Sequence, residues 1–312
     1  MNNPEKVADM VSVVIPVYMS ENIIYELYER LVAVLTGLNR AFELIMVDDS
    51  STDNSYRTMQ AIHSKDPCVK IIRLSCNHGQ QYATLCGLRY ARGGYIITMD
   101  DDLQNPPEEI PNFIKKIDEG FDVVIGKIIE KKHPFFRRAA SKLAQKLMCS
   151  ILGKPQNLIL SSYRGFSRRA VDKITKYEGV FPFLPALIFA TVHNSAIVNI
   201  DVAHADRYHG GSTYSFFSLL KVTSFLLINH SAIFLRLIAL WGLLLSVGSL
   251  FLAFYLFIYL GMVIKGWIPL AILISFFSGN IILSIGILGE YSSRILKSTT
   301  TTKGFGVFEE EL

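Results

Sequence analysis

Cysteine is scarce: Cys68, Cys76, Cys86 and Cys149 are the four in 312 residues, with no CxxC pair and no histidine at zinc-ligand spacing. That argues against a disulfide framework or a structural zinc and leaves reduced, cytoplasmic thiols as the expectation. The glycine signatures of common cofactor folds are missing too. No glycine lies between Pro16 and Asn22, so no GxGxxG opens the first unit, and Gly126-Lys127 lacks the earlier glycine of a P-loop. GxSxG and HExxH are absent, which removes the commonest hydrolase signatures. The start, MNNPEKVADM, carries acids and no apolar core before Val11, unlike a signal peptide. A net charge of +4 without basic tracts argues against nucleic acid as a partner, while a mildly basic face can still meet anionic lipid.

Charge itself is missing from one long region, because Lys265 is the sole charged side chain between Leu237 and Gly289. With 50% hydrophobic residues, 19% charged ones and a mean hydropathy of +0.32, part of the chain is expected outside water. The uncharged runs 237–264 and 267–289 are each long enough to cross about 30 Å of hydrocarbon. Joined only by Lys265 and Gly266, they predict a transmembrane hairpin. Lys221, Arg236, Arg294, Lys297 and Lys303 flank its outer ends, so the positive-inside rule puts both termini in the cytoplasm of a multi-pass inner-membrane protein. The expected organisation is a catalytic domain over 1–211, a juxtamembrane amphipathic helix over 212–232, two spans within 233–290 and a cytoplasmic tail over 291–312. A basic amphipathic stretch over 133–152 suits either a membrane surface or the face of a sheet.

From Val11 onward, short β-branched runs alternate with amphipathic stretches, the pattern of βαβ units and a mostly parallel sheet. Strands are expected at 11–18, 42–47, 69–74, 95–99 and 121–126. Helices are expected between them near 53–65, 79–92 and 106–119, besides the stripe Ile23, Ile24, Leu27, Leu31, Val34, Leu35 and Leu38. Ligands of such α/β sheets bind at the carboxyl ends of strands. Two of those ends are acidic here.

The first is MDDDLQNPPEE, residues 99–109. Carboxylates so close repel, and a divalent cation relieves the repulsion; oxygen ligands favour Mg²⁺ or Mn²⁺, completed by substrate phosphates. In an extended segment Asp100 and Asp102 share a face as metal ligands while Asp101 points away. The second end is Asp48-Asp49, whose carboxylates suit a base N–H or a ribose hydroxyl.

These motifs have a familiar order. VVIPVYMSEN, DDSSTDNS, NHGQQYATLCGL, DDDLQNPPEEIP, the stretch Arg207–Ser215, the apolar hairpin and LGEYSSRI over 288–295 together resemble family 2 glycosyltransferases of the polyprenyl-phosphate type. Enzymes that load glucose or aminoarabinose onto undecaprenyl phosphate look closest, and dolichyl-phosphate mannose synthases more distant. The resemblance implies a GT-A fold, a nucleotide-sugar donor that is UDP-linked, a divalent metal at Asp100 and Asp102, and a lipid phosphate acceptor for cell-envelope glycan, O-antigen or lipopolysaccharide chemistry. It implies donor contacts from Pro16, Tyr18, Asp48, Asp49, Asp100 and Asp101. The hairpin is a candidate surface for homo-oligomers or a flippase partner.

An acceptor phosphate monoester, with a second pKa of about 6, is already a nucleophile near neutral pH. Cations must hold it, and Arg164 and Arg207 are the candidates because guanidinium grips phosphate in a bidentate way. Gln104 is expected to contact sugar or acceptor, and Asp102, Gln104, Arg164 and Arg207 form the expected catalytic set. Cys76, Ile128, Leu158 and Gly211 depart from the family pattern around the sugar and acceptor pockets and leave the nucleotide and metal motifs intact. The competing readings are a processive polysaccharide synthase, which lacks its QxxRW motif here, and a non-catalytic nucleotide-sugar sensor or scaffold.

Overall fold

The computed structural model describes residues 8–128, 155, 158–177, 182–203 and 307–311, with individual helical positions between 270 and 295. The chain divides into two compact units, Met1–Ser212 with Lys303–Leu312, and Thr213–Thr302. The first is an α/β unit. Its strands are β1 Val11–Val17, β2 Phe42–Asp48, β3 Val69–Leu74, β4 Tyr95–Thr98, β5 Val123–Ile128, β6 Arg164–Ser167, β7 Ile197–Val202 and β8 Val307–Glu311. Together they make one sheet in the order β7-β5-β6-β4-β1-β2-β3-β8. β1 runs parallel to β2 and β4, β2 to β3, and β5 to β7, whereas β6 is antiparallel to β4 and β5, and β8 to β3.

Among the described residues six α-helices accompany this sheet: α1 Ile24–Gly37, α2 Ser55–His63, α3 Gln80–Tyr90, α4 Ile110–Asp118, α5 Arg168–Ile174 and α6 Leu184–Thr191. Leu27, Leu31 and Leu35 of α1, Met59 of α2 and Phe113 of α4 pack with Val13, Ile15, Leu44 and Met46. Cys86 and Leu88 of α3, Val171 of α5 and Ile188 of α6 pack with Val14, Ile45 and Val47. Successive strand residues therefore enter opposite cores, which explains why β1 is buried at all seven positions and is apolar at every one but Ser12. Burial of each such side chain contributes about 1.5–3 kcal/mol.

The five strands expected from the alternation are present, with ends shifted by up to two residues. The helix expected over 106–119 begins as a 3₁₀ turn at Pro107–Glu109, and its α-helical part holds Pro111 in its first turn, where an N–H is not needed. β6, β7, β8, α5 and α6 were not anticipated. β6, Arg-Gly-Phe-Ser, has too few residues for a period, and only its pairing with β4 and β5 makes it a strand.

Among the described residues no helix is long and apolar enough to cross a membrane. The stretch 133–152, the helix expected over 212–232, the span 237–264 and most of 267–289 lie outside the described residues. In the second unit, Leu270, Ile274, Ile281, Ile285 and Leu288 are helical and each more than half exposed. Their spacing keeps them on one helical face.

Candidate active site

Parallel pairing brings the carboxyl ends of β1, β2, β3 and β4 to one edge of the sheet. Because β6 runs the other way, its first residue lies at the same edge, with Arg164 opposite Thr98 in register. Three residues just beyond these strands, Met19, Ser50 and Leu103, have positive φ of 54°, 61° and 59°. None is glycine, so each is held in a conformation that costs about 1–2 kcal/mol, and such strain gathers where a site dictates the backbone.

The acidic run after β4 is held from three sides. Asp101 accepts from the Tyr18 amide at 3.1 Å and from the Ser20 hydroxyl, so it ties β4 to the end of β1. Burial first, with the Asp100 charge adding, pushes its carboxyl up to about 6. Asp100 accepts from the Gln80 amide on one oxygen and from the Ser162 hydroxyl on the other. Burial raises its pKa, the Asp102 charge raises it further, and Ser162 and Arg164 oppose the rise. Asp102 accepts from the Gln104 amide at 3.1 Å.

Arg164 is only 4% exposed, and its Nε finds no hydrogen-bond partner among the described residues. Burial pulls its pKa down to about 10 against the attraction of Asp100. The Gln104 side-chain nitrogen is likewise buried without a partner. Two buried donors without a partner among the described residues, next to an acidic run, are suited to an acceptor brought by a ligand.

Asp48 and Asp49 lie at the end of β2 and are 0% and 2% exposed. Asp48 accepts from the Ser51 amide at 3.0 Å, and its other oxygen lies 3.2 Å from Arg73 Nε. Asp49 accepts from the His78 and Gly79 amides, both at 2.8 Å. It thereby fixes the entry of α3, where Gly79 takes φ 90°, a conformation glycine adopts without strain. These carboxylates are engaged with their own chain, which the sequence did not reveal. Around them Ser51 accepts from the Met19 amide at 3.1 Å, Ser55 from the Ser20 amide at 2.8 Å and Glu21 from the Asn54 amide at 2.8 Å. The loops after β1 and β2 are thus stitched together.

Pro16 is buried in β1 opposite Val47, beyond Val14, the last residue paired with β4. Tyr18 follows it, 47% exposed at the rim. The edge therefore gathers Tyr18, Asp100, Asp101, Asp102, Gln104 and Arg164, with Asp48 and Asp49 at the neighbouring end of β2. Arg207 and Gly211 lie outside the described residues. Of the other departures, Cys76 contacts His78 Nε2 at 3.2 Å, Leu158 is buried in the core beside α3, and Ile128 ends β5 opposite Val202. Gln80, Ser162 and Arg73 were missed; the only signal for Arg73 was a second cation, after Lys70, in the otherwise apolar strand VKIIRL.

No three acidic, histidine or cysteine side chains among the described residues form a ready metal cage. The fit is to a cation that takes few protein ligands. Asp100 and Asp102 would supply two carboxylates, the first already raised in pKa by burial and then by the Asp102 charge, and Mg²⁺-like ions complete such a shell with phosphate oxygens.

Comparison with known proteins agrees with this geometry. Residues 12–175 match glycosyl transferase family 2. The undecaprenyl-phosphate 4-deoxy-4-formamido-L-arabinose transferase of Proteus mirabilis is 34% identical over 302 residues, covering 95% of this chain and 91% of that protein. The protein of the same name from Photorhabdus laumondii is 34% identical over 292 residues, covering 91% and 89%. Among solved structures, glucosyl-3-phosphoglycerate synthase from Mycobacterium tuberculosis in complex with Mn²⁺, UDP and phosphoglyceric acid superposes with a TM-score of 0.53. That match, at 18% identity over 70% of this chain and 76% of the other, identifies a GT-A-like fold. The same synthase with Mg²⁺ and UDP gives a TM-score of 0.52 over 72% of this chain and 80% of the other. An α/β sheet with an acidic strand end, a family match over more than half its length and relatives aligned nearly end to end lead to one assignment: the chain belongs to glycosyl transferase family 2.

Proposed function

We propose that this enzyme transfers a sugar from a UDP-sugar to polyprenyl phosphate at the cytoplasmic face of a membrane, giving a lipid-linked sugar for cell-envelope glycan or lipopolysaccharide modification. The observation that carries the reading is the buried, under-satisfied Arg164 beside Asp100, because it joins an anion-seeking cation to a cation-seeking acid at one strand edge. Alignment with named undecaprenyl-phosphate transferases over 95% of the chain supports the acceptor. UDP in the M. tuberculosis synthase supports the donor more weakly. Exposed apolar residues on one face of the helical positions from 270 to 288 support a membrane anchor.

Asp100 and Asp102 would hold Mg²⁺ or Mn²⁺, which when bound supplies positive charge for the diphosphate leaving group. The chain's own residues do the rest. Asp101 fixes the loop that ends β1, so Tyr18 stands at the donor's rim. Arg164 steadies the acceptor phosphate, and Arg207 is proposed as its second cation. Gln104 offers its unpartnered amide to a sugar hydroxyl or to the acceptor. A strong general base is not required, since the acceptor is largely a dianion near neutral pH.

The test is turnover by the purified full-length protein, with undecaprenyl phosphate and a panel of UDP-sugars in Mg²⁺ or Mn²⁺. Metal-dependent formation of a lipid-linked sugar is expected. Absence of product from every donor, or an elongating polymer, would overturn the reading.

A further inference from the structure

The chain leaves the catalytic unit at Ser212 and returns to it at Lys303, and its last described residues form β8 along the edge of β3. β8 carries Glu309, Glu310 and Glu311, and the last two each meet a specific partner. Glu311 accepts from Gln60 at 3.1 Å and lies 3.6 Å from His63 Nε2; Glu310 accepts from the Tyr90 hydroxyl at 2.6 Å. Glu309 stands opposite Arg73 in the strand register, and the Tyr56 ring of α2 lies beneath the same guanidinium. Tyr56, Gln60 and His63 are spaced four and three residues apart on α2, so one helical face meets the acidic strand.

Arg73 connects this strand to the donor side of the site. Its guanidinium lies 4.6 Å from the centre of the Tyr56 ring, its Nε is 3.2 Å from Asp48, and its Nη2 donates to the Ser51 carbonyl at 3.4 Å. Asp48 and Ser51 set the turn in which Ser50 is left-handed, and Ser51 also holds the Met19 amide. Asp48 is wholly buried, so its second oxygen depends on Arg73 for its counter-charge. No other described group is positioned to supply it.

We propose that Arg73 is a positioning residue of the donor site and that β8 sets its position, through Glu309 across the strand pair and Tyr56 beneath the guanidinium, so that docking of the C-terminal strand controls nucleotide affinity. This rests on the donor-site reading given above. A relay of this kind acts on binding rather than on chemistry, because none of its members reaches the acidic run after β4.

The experiment uses the full-length enzyme, UDP titration by calorimetry with Mg²⁺, and separate kcat and KM for donor and acceptor. Tyr56→Leu, which removes the ring under the guanidinium, should raise the UDP dissociation constant and donor KM about three- to tenfold, with kcat and acceptor KM within about twofold. Tyr56→Phe keeps the ring and should restore wild-type donor KM. Glu309→Lys opposes Arg73 with a like charge at an exposed position, and should raise donor KM about threefold even where Tyr56→Leu fails to fold. Unchanged UDP affinity in both Tyr56→Leu and Glu309→Lys would overturn the relay alone, as would a fall in kcat and melting temperature with donor KM unmoved. A wild-type protein that binds no uridine nucleotide would overturn the donor reading and the relay together.

Discussion

At the scale of single residues, the site contains charges whose partners are incomplete. Asp100 and Asp101 are pushed towards protonation by burial, and Arg164 is pushed towards losing its proton, so the folded chain holds each against its own solvation. We expect Asp102→Asn to lower transfer by at least about 100-fold and Asp100→Asn somewhat less, with folding retained because removing a charge relieves repulsion. EDTA should reproduce the loss in the wild type. Near-full activity in either variant, measured by radiolabelled sugar transfer, would refute the metal assignment. Arg164 has a different signature: Arg164→Lys keeps a charge but lacks the planar fork, and should cost about 100-fold in kcat while UDP affinity stays within about twofold. A loss of UDP affinity instead would move Arg164 from the acceptor to the donor.

At the scale of elements, close approach between α3 and the sheet determines a glycine. A Cβ built on Gly87 would lie 2.4 Å from Val14 Cγ1 and 3.1 Å from Val47 Cγ2. Both valines are fully buried and stiff at χ1, so they cannot withdraw. Alanine would gain about 1 kcal/mol of helix propensity, but overpacking costs about 1–3 kcal/mol, so Gly87→Ala should be net destabilising by about 1 kcal/mol. Gly37, at the end of α1, has nothing within 4 Å of such a Cβ, and Gly37→Ala should stabilise by a few tenths to about 1 kcal/mol. Urea unfolding of the two variants separates packing from propensity, and equal shifts would contradict the close approach. The same scale limits sequence reading. α1 announced itself through leucines at helical spacing, whereas β6 has no local pattern and owes its existence to β4 and β5, whose partner residues lie about forty to seventy positions away.

For the whole molecule, the second unit, Thr213–Thr302, is bracketed in the chain by two segments of the first. A hairpin with both ends on the catalytic side predicts opposite accessibility for its turn and its exit. In a Cys76→Ser background, which removes an exposed thiol, Lys303→Cys should react with an impermeant maleimide only from the cytoplasmic side, and Lys265→Cys only from the outer side. Labelling of both from one side would refute the hairpin and the cytoplasmic donor site. Truncation near Gly211 does more than remove an anchor, because it also deletes β8 and bares the edge of β3. Such a protein is expected to aggregate as well as lose transfer to long-chain lipid phosphate, and light scattering would record it.

The sequence by itself determined whatever is encoded locally: the alternation that yields β1 to β5, the helices between them, and the acids that end β2 and β4. It also carried the order of motifs that marks the family, because each motif is a short run whose spacing survives without neighbours. Only the tertiary structure decided that Asp48 and Asp49 meet Ser51, Arg73, His78 and Gly79, and that Arg164 lies near Asp100. It also decided that the final glutamates seal the edge of β3, more than two hundred residues from their partners. The reason is physical. A strand partner or a counter-charge is chosen by which edge remains unpaired once the core has closed, and that choice leaves no period in the chain to read.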